Sequence, residues 1–319
     1  MITPSFWHHS DNKIAKALSP LGALYGAISA CLARRSTPEK LSVPVICIGN
    51  LVVGGAGKTP AAMLLGQALI AQGKRVHFVS RGYRGSLRGP ILVKGHSFQE
   101  VGDEPLMLAK IAPTWVAKDR SVGALAAVQA GAEIIILDDG HQNFTIHKDC
   151  SLVVIDTDYQ FGNGRLFPAG PLRESPVQGL ARAQGLILVG EKEFPLVSSL
   201  PFVRLRFKPC KEDLETLQSK ILLPFAGIGR PQKFFKMLED YALAYDLKLL
   251  RGINFPDHYV YTEKDLKNLQ QKAKREGAML VTTEKDWMRL SHKKGIFMVR
   301  LSPDIIEGSW DNIWKGLEF

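Results

Sequence analysis

Cysteine is scarce in this chain. Cys31, Cys47, Cys150 and Cys210 are spread over 319 residues with no Cys-x-x-Cys pair, which excludes a disulfide framework and offers no zinc site. Reduced thiols in a cytoplasmic compartment are the expectation. Acidic charge is in short supply too: 31 Asp+Glu face 41 Lys+Arg, a formal charge of +10. Such an excess calls for an anionic partner: nucleic acid, a phosphorylated substrate or an acidic membrane surface. An RNA-binding signature, a zinc finger and a stripe of interleaved basic and aromatic residues are all missing, so nucleic acid is not expected. Internal repeats and low-complexity tracts are absent as well. At this length one large or two medium domains can bury a core.

Long apolar runs are also lacking, with one exception. Ala17 to Ala33 carries no charge and is flanked by Lys13, Lys16, Arg34 and Arg35, with Phe6 and Trp7 ahead of it. It sits at the short limit for a spanning helix, and Pro20, Gly22 and Gly26 dilute it. An interfacial, monotopic helix fits better; the alternative is a buried core helix. Asp11 before the run and Arg34 and Arg35 after it, without a small-residue cleavage site, argue against a cleaved signal peptide.

What is present centres on GNLVVGGAGKTP, Gly49 to Pro60. A formal phosphate-binding loop would have glycine where Val52 stands. The physics still favours phosphate. Val43 to Ile48 reads as a buried strand, glycines at 54, 55 and 57 free successive N–H groups to point inward, and a helix opens near Pro60. An anion would sit at that helix N-terminus. The segment Val52, Val53, Gly54, Gly55, Ala56, Gly57, Lys58 and Thr59 is the expected cradle, with Lys58 reaching the β- and γ-phosphates and the Thr59 hydroxyl suited to Mg²⁺. A plain glycine-rich turn is the alternative.

Strands and helices then alternate: Arg75 to Ser80, TWVAK near Trp115, a helix from Asp119 to Ala130, Glu133 to Asp139, Cys150 to Asp156, Gly185 to Gly190 and Phe202 to Phe207. Apolar strands separated by helices predict a largely parallel sheet covered on both faces, an α/β protein. After the polar run at 208–220 a second series begins: a strand at 221, a helix from Gln232 to Ala242, a strand at 247–255, a helix from Glu263 to Glu276 capped by Thr262, and the strand AMLVTT. The division is 1–40 for the N-terminal helix region, 41–210 for a P-loop domain and 211–319 for a smaller α/β domain. The tetrad Thr-Glu-Lys-Asp at 262–265 and again at 283–286 reads as two helix starts.

The strand EIIILDD ends in Asp138 and Asp139, placing carboxylates where P-loop proteins hold Mg²⁺. The guanine-specific Asn-Lys-x-Asp is absent, so adenine nucleotide is favoured. SRGYRG (80–85), VGDEP (101–105), GPLRE (170–174) and FPDHY (255–259) fall in loops after strands, where α/β proteins bind ligands.

Taken in order, GNLVVGGAGKTP, SRGYRG, VGDEP, LDDGHQN, FPAGPLRE and FPDHY, with the apolar N-terminal helix, resemble the tetraacyldisaccharide 4′-kinase family, the lipid A kinases of Gram-negative bacteria. His141 of LDDGHQN stands where an aromatic residue is more usual, a departure that bears on local packing. The resemblance implies a P-loop NTPase-like fold with a second domain and a membrane-associated helix, and transfer of the ATP γ-phosphoryl group to the 4′-hydroxyl of an acylated glucosamine disaccharide 1-phosphate. It further implies a peripheral protein on the anionic cytoplasmic face of the bacterial inner membrane. On that reading Asp103 is the base, His258 orients or polarises it from the second domain, and Arg173 meets γ-phosphate charge. Thr59, Asp138, Asp139 and Glu174 are then the metal-side groups. The rival readings are a P-loop ATPase or GTPase switch of the metallochaperone or partitioning type, and a membrane-docking adaptor with a vestigial loop.

Overall fold

The structure is a computed structural model that describes residues 4–9, 11–194 and 200–314; the remaining residues of the expected 1–40 and 211–319 regions lie outside the described residues. The chain divides into two compact units. The larger comprises the described residues up to Arg206 together with those from Ile305 onward, and the smaller comprises Phe207–Asp304. By this division the chain leaves the larger unit at Arg206 and returns to it at Ile305.

The larger unit is built on strands β1 (Val45–Gly49), β2 (Val76–Ser80), β3 (Ile91–Leu92), β4 (Thr114–Val116), β5 (Ile134–Asp138), β6 (Cys150–Asp156), β7 (Gly185–Val189) and β8 (Phe202–Pro209). With the strand Leu301–Gly308 at one edge they form a nine-stranded sheet in which β8, β7, β6, β1, β5, β2, β4 and β3 follow in order. Pairing is parallel from β8 through β4, and the short β3 runs antiparallel against β4. Every residue of β1, β2, β5 and β6 is buried, as expected of parallel strands covered on both faces.

Helices α1 (Lys13–Arg35), α2 (Lys58–Ala71), α3 (Phe98–Val101), α4 (Asp103–Leu108), α5 (Arg120–Gln129) and α6 (Pro176–Leu180) accompany this sheet. Ala124 and Ala127 of α5 pack with Val45, Cys47, Ile135 and Leu137 on one face. Helix α2 packs on β1, β2 and β5. The proline at 60 falls in the first turn of α2, where the missing N–H has no intrahelical partner to lose. Asp119 caps α5, its side chain accepting from Ser121 N at 2.9 Å.

Helix α1 is capped by Asn12 and carries Pro20 inside it. Among the described residues it is the one helix long and apolar enough to cross a membrane. Ile14, Leu21, Leu24, Ile28 and Leu32 are each more than half exposed, so α1 is not the buried core helix of the alternative reading. Its opposite face is small: Ala15 and Gly22 are buried, and a Cβ at Gly22 would stand 3.0 Å from the Leu166 carbonyl oxygen. Arg165 donates to Ser19 Oγ at 2.8 Å and the Trp7 indole donates to the Pro168 carbonyl at 3.1 Å.

The smaller unit holds α7 (Lys211–Leu217), β9 (Ile221–Ala226), α8 (Pro231–Ala242), β10 (Lys248–Leu249), β11 (Ile253–Asn254), α9 (Glu263–Arg275), β12 (Met279–Thr283), α10 (Glu284–Trp287) and β13 (Ile296–Val299). All of its strand pairs are parallel, with β9 between β12 and the short β10 and β11. One element is added to the expected series and one expectation is corrected. The polar run at 208–220 contains α7, whose Leu214 and Leu217 enter the core. The single strand expected at 247–255 is two: Leu249 pairs with Leu222 but Ile253 with Phe225, an extra residue on the β10–β11 side. Pro224 of β9 lies opposite the break, and a proline has no N–H to give a ladder there. The strand Leu301–Gly308, labelled β14, and the helix Trp310–Trp314, α11, are the last elements among the described residues.

One glycine tests this packing. A Cβ at Gly66 of α2 would lie 2.5 Å from Cζ of Phe78, a fully buried ring on β2. Gly→Ala inside a helix ordinarily stabilises by about 0.5–1 kcal/mol. Gly66→Ala is expected to lose about 1–3 kcal/mol instead, because the ring has no space to retreat into. Urea denaturation reads the sign, and a raised midpoint would refute the packing described.

Candidate active site

The pairing of β1 with β5 sets Ile48 opposite Asp138, so the turn after β1 and the acids ending β5 share one edge of the sheet. That turn leads into α2, whose N-cap is Gly57 in the left-handed region (φ 87°), with no side-chain cap among the described residues. The uncapped N–H groups of the first turn, which contains Lys58 and Thr59, are a ready anion site. A Cβ built on Gly54 or Gly55 would meet nothing within 4 Å: the space over the loop is open. Val52 and Val53 have another role. Val53 N–H is taken by the Pro171 carbonyl at 2.7 Å, and Val52 bridges to Leu172, so the open cradle starts at Gly54.

Lys58 and the two acids form the charged centre. The ammonium donates to Asn50 Oδ1 at 3.2 Å and lies 3.7 Å from Asp139 Oδ1; burial pulls its pKa below the ordinary lysine value despite the attraction of Asp139. Asp139 has φ 54°, a conformation Asp tolerates better than most residues. Its carboxylate accepts from Arg173 at 2.8 Å and its carbonyl accepts from Arg120 at 2.8 Å. Burial opposes its charge, but Lys58, Arg173 and Arg120 together hold its pKa well below the usual carboxylate range.

Asp138 differs. Both of its carboxylate oxygens are buried and neither has a hydrogen-bond partner among the described residues. Burial, with Glu104 and Asp139 adding like charge, pushes its pKa up to about 7. A buried carboxylate left so is expensive unless a cation meets it.

Arg173 and Glu174 follow Leu172, and Arg173 N–H donates to the Leu51 carbonyl at 2.8 Å, which sets both beside the loop. Glu174, expected among the metal-side groups, has its two oxygens engaged by Gln142 Nε2 at 2.8 Å and Arg182 at 2.6 Å. Gln142 also donates to the Asn50 carbonyl at 3.0 Å and accepts from Arg173 at 3.3 Å. Asn50, Gln142 and Arg182 were not singled out from the sequence. Asn50 and Gln142 lie inside two of the quoted motifs; nothing marks Arg182.

His141 is buried beneath this network. Nε2 is 3.0 Å from the Gly179 carbonyl and Nδ1 is 2.7 Å from Ser151 Oγ. A carbonyl only accepts, so Nε2 carries the proton and Nδ1 accepts from the serine hydroxyl. Burial, the largest influence, with Arg182 and Lys148, outweighs Glu174 and brings the imidazole down to about 4. The Cβ and backbone of the same residue explain Gly49, where a Cβ would fall 2.4 Å from His141 Cβ.

Asp103 opens α4 and is buried, accepting from Glu104 N–H at 3.0 Å. Gly102 before it has φ 90° and would press a Cβ 2.6 Å from the Tyr83 carbonyl oxygen, which ties VGDEP to SRGYRG. Within the larger unit the structure therefore gathers Lys58, Asp138, Asp139, Arg173 and Glu174, with Glu104 near enough to act on Asp138. His258 belongs to the smaller unit. It occupies the left-handed region at φ 56°, and its N–H donates to the Gly227 carbonyl at 2.9 Å.

An open glycine turn, an uncapped helix start and an unpartnered buried carboxylate beside a lysine fit a nucleotide phosphate chain with a divalent cation. Fold and site define a P-loop nucleotide-binding protein of the parallel α/β class. A family model described as Tetraacyldisaccharide-1-P 4'-kinase, LpxK, matches residues 14–313. The chain is 46% identical over 297 residues to a tetraacyldisaccharide 4'-kinase of Paramagnetospirillum magneticum, covering 91% of this chain and 90% of that protein. It is 44% identical over 300 residues to one of Rhodospirillum rubrum, with 91% and 89% covered. The crystal structure of LpxK from Aquifex aeolicus in complex with ATP superposes with a TM-score of 0.73 at 29% identity, over 91% of this chain and 95% of that one. The chain belongs to the tetraacyldisaccharide 4′-kinase family.

The neutral His141 has a thermodynamic consequence. Its folded pKa is depressed, so between about 6.5 and about 4 the unfolded chain binds a proton that the folded chain excludes. Its contribution to stability is fully present above pH 6.5 and is lost as pH falls toward 4, at no more than about 1.4 kcal/mol per pH unit. His141→Phe is expected to be less stable at pH 8, where Ser151 and Gly179 lose a partner, yet to lose less on acidification. Parallel stability–pH curves for the two proteins would count against the neutral buried ring.

Proposed function

We infer that this chain transfers the γ-phosphoryl group of ATP to the 4′-hydroxyl of a tetraacylated glucosamine disaccharide 1-phosphate, giving the 1,4′-bisphosphate of lipid A synthesis. The observation that carries the reading is the unpartnered Asp138 carboxylate beside Lys58 and an open glycine turn, in a chain of this family. When bound, MgATP supplies the phosphoryl group, and the ion neutralises charge on the phosphate oxygens.

The chain's residues divide the remaining work. The N–H groups from Gly54 to Thr59 receive phosphate oxygens, and Lys58 moves from Asn50 and Asp139 onto them. Thr59 and Asp138 would hold the ion. Asp139 keeps Lys58 and Arg173 aimed and charged, and Arg173 answers the charge that develops on the transferred group. Glu174, with both oxygens taken by Gln142 and Arg182, holds the segment that carries Arg173. Asp103 accepts the proton of the attacking sugar hydroxyl, with His258 as its partner in that step.

The acylated substrate also gives the exposed apolar face of α1 a purpose. Leu21, Leu24, Ile28 and Leu32 enter the interface of an anionic bilayer while Lys13, Lys16, Arg34 and Arg35 stay at headgroup level. The protein is accordingly a peripheral, monotopic one on the cytoplasmic face of the bacterial inner membrane, where ATP is available.

Mass spectrometry of the disaccharide 1-phosphate after incubation with MgATP tests the activity: a gain of one phosphate at the 4′ position is expected, and ATP consumption without that product would refute it. Lys58→Ala should abolish turnover in a folded protein, a loss of about 10²-fold or more. Asp138→Asn should raise the Mg²⁺ concentration needed for half-maximal rate far more than Asp139→Asn does; equal shifts would reject the division of roles between the two acids. Asp103→Ala should lower kcat by about 10²–10⁴ with little change in the KM for ATP, and a collapse of nucleotide binding would recast it as a metal-side acid.

A further inference from the structure

The tetrad Thr-Glu-Lys-Asp occurs twice in the smaller unit, and both copies start helices. At the first, Thr262 and Asp265 cap α9 reciprocally, and Asp265 is only half-buried. At the second, Thr283 accepts from Asp286 N–H and donates to Asp286 Oδ2 at 2.6 Å, the same device at the start of α10. Asp286, however, is 0% exposed, and its other oxygen reaches away from the helix. Oδ1 accepts from Gly227 N–H at 2.9 Å, from the Tyr261 hydroxyl at 2.6 Å and from Arg289 at 2.9 Å.

Arg289 is 2% exposed and heads the largest fully buried side chains of the protein. One terminal nitrogen of its guanidinium donates to the Gly227 carbonyl at 3.0 Å and to the Tyr259 carbonyl at 3.2 Å. The Gly227 carbonyl is also the acceptor of the His258 N–H. Both backbone groups of Gly227 are thus pinned by one buried ion pair, and the guanidinium grips the carbonyl on the C-terminal side of His258. Gly227 has little room for a side chain, since a Cβ would stand 3.0 Å from the Pro256 carbonyl oxygen and 3.1 Å from the Tyr261 hydroxyl.

A helix cap needs none of this. A buried ion pair adds little stability over well-packed apolar residues of the same size, so its use here points to geometry. What it holds is a non-glycine residue in the left-handed region, a conformation that persists only where the surroundings over-determine it.

We propose that Asp286 and Arg289 are positioning residues that lock the Pro256–Tyr259 turn and thereby set the imidazole of His258 for the phosphoryl transfer. The proposal rests on the reading of His258 as a participant in that reaction. Neither residue touches the reacting groups; both act through the backbone on either side of His258.

Arg289→Lys tests it, because the cation stays to meet Asp286 while the planar fork that spans two carbonyls is lost. Displacing a participating group by about 1 Å can cost about 10²-fold. In the folded variant kcat is expected to fall roughly 10- to 100-fold with the KM for ATP unchanged, and Arg289→Lys should have no further effect in a His258→Ala background, as residues acting through one step are not additive. In protein labelled with ¹³C-histidine, the ring resonance that disappears in His258→Ala should move in Arg289→Lys, while the others stay.

A His258 resonance that stays in place, a wild-type kcat, or the same loss of rate with and without His258 overturns the proposal. A wild-type kcat in His258→Ala overturns the reading beneath it, and the spectrum distinguishes the two failures. If Arg289→Lys does not fold, Tyr261→Phe removes one hydroxyl from Asp286 and leaves the ion pair. It should move the same resonance and lower kcat by a smaller factor, about 3- to 10-fold, and no movement would sink the proposal.

Discussion

The parallel register of β1 against β5 is the constraint on which the larger unit depends. With Ile48 opposite Asp138, the residue after Ile48 that needs no side chain, Gly49, falls against the backbone and Cβ of His141. A slip of one residue would turn the buried faces of both strands over and carry the acids away from the turn that leads to Lys58. The site is therefore a property of strand pairing in the first place; the side chains refine a meeting that the backbone has arranged.

That refinement consists largely of giving adjacent acids unlike surroundings. Asp139 is drawn into the left-handed region and surrounded by Lys58, Arg173 and Arg120, so its charge is compensated within the protein. Asp138, still on the strand, is buried with no hydrogen-bond partner among the described residues, and Lys58 and Arg120 do not outweigh its burial. Neighbours in sequence thus differ in how far the fold satisfies them. Glu174 resembles Asp139 in being satisfied internally, through Gln142 and Arg182. The polar residues around the loop belong to one connected set, in which Gln142 joins Asn50, Arg173 and Glu174.

How much of this could be read beforehand followed from whether a feature is local. The central strands were legible because a strand buried on both faces is a short unbroken apolar run, as in VICIG and IIILD. The glycines before Lys58 were legible because an N–H cradle is made from consecutive residues. What stayed hidden depends on partners distant in the chain. The strand LSPDIIEG holds Pro303, Asp304 and Glu307 and looks like a loop, yet it pairs with β8 at a sheet edge, where prolines and charges are tolerated. The break between β10 and β11 is visible only once Pro224 is known to lie beside it. Asn50, Gln142 and Arg182 are ordinary polar residues until the fold brings them together. The second Thr-Glu-Lys-Asp tetrad looked like a repeat of the first, and only burial separates Asp286 from Asp265.

The narrow face of α1 has a consequence for how defects in this protein would be interpreted. Gly22 lies against the Leu166 carbonyl oxygen; Leu166 bridges to Leu172, and Leu172 bridges to Val52 at the mouth of the glycine turn. The exposed apolar helix and the glycine turn are thus two ends of one strut of backbone contacts. A genetic screen for lost phosphorylation would recover alleles at position 22, and their distance in sequence from the loop would invite the label of a targeting defect. The lesion would lie in the loop's foundation, and forcing such an allele onto membranes by a foreign anchor would not restore it.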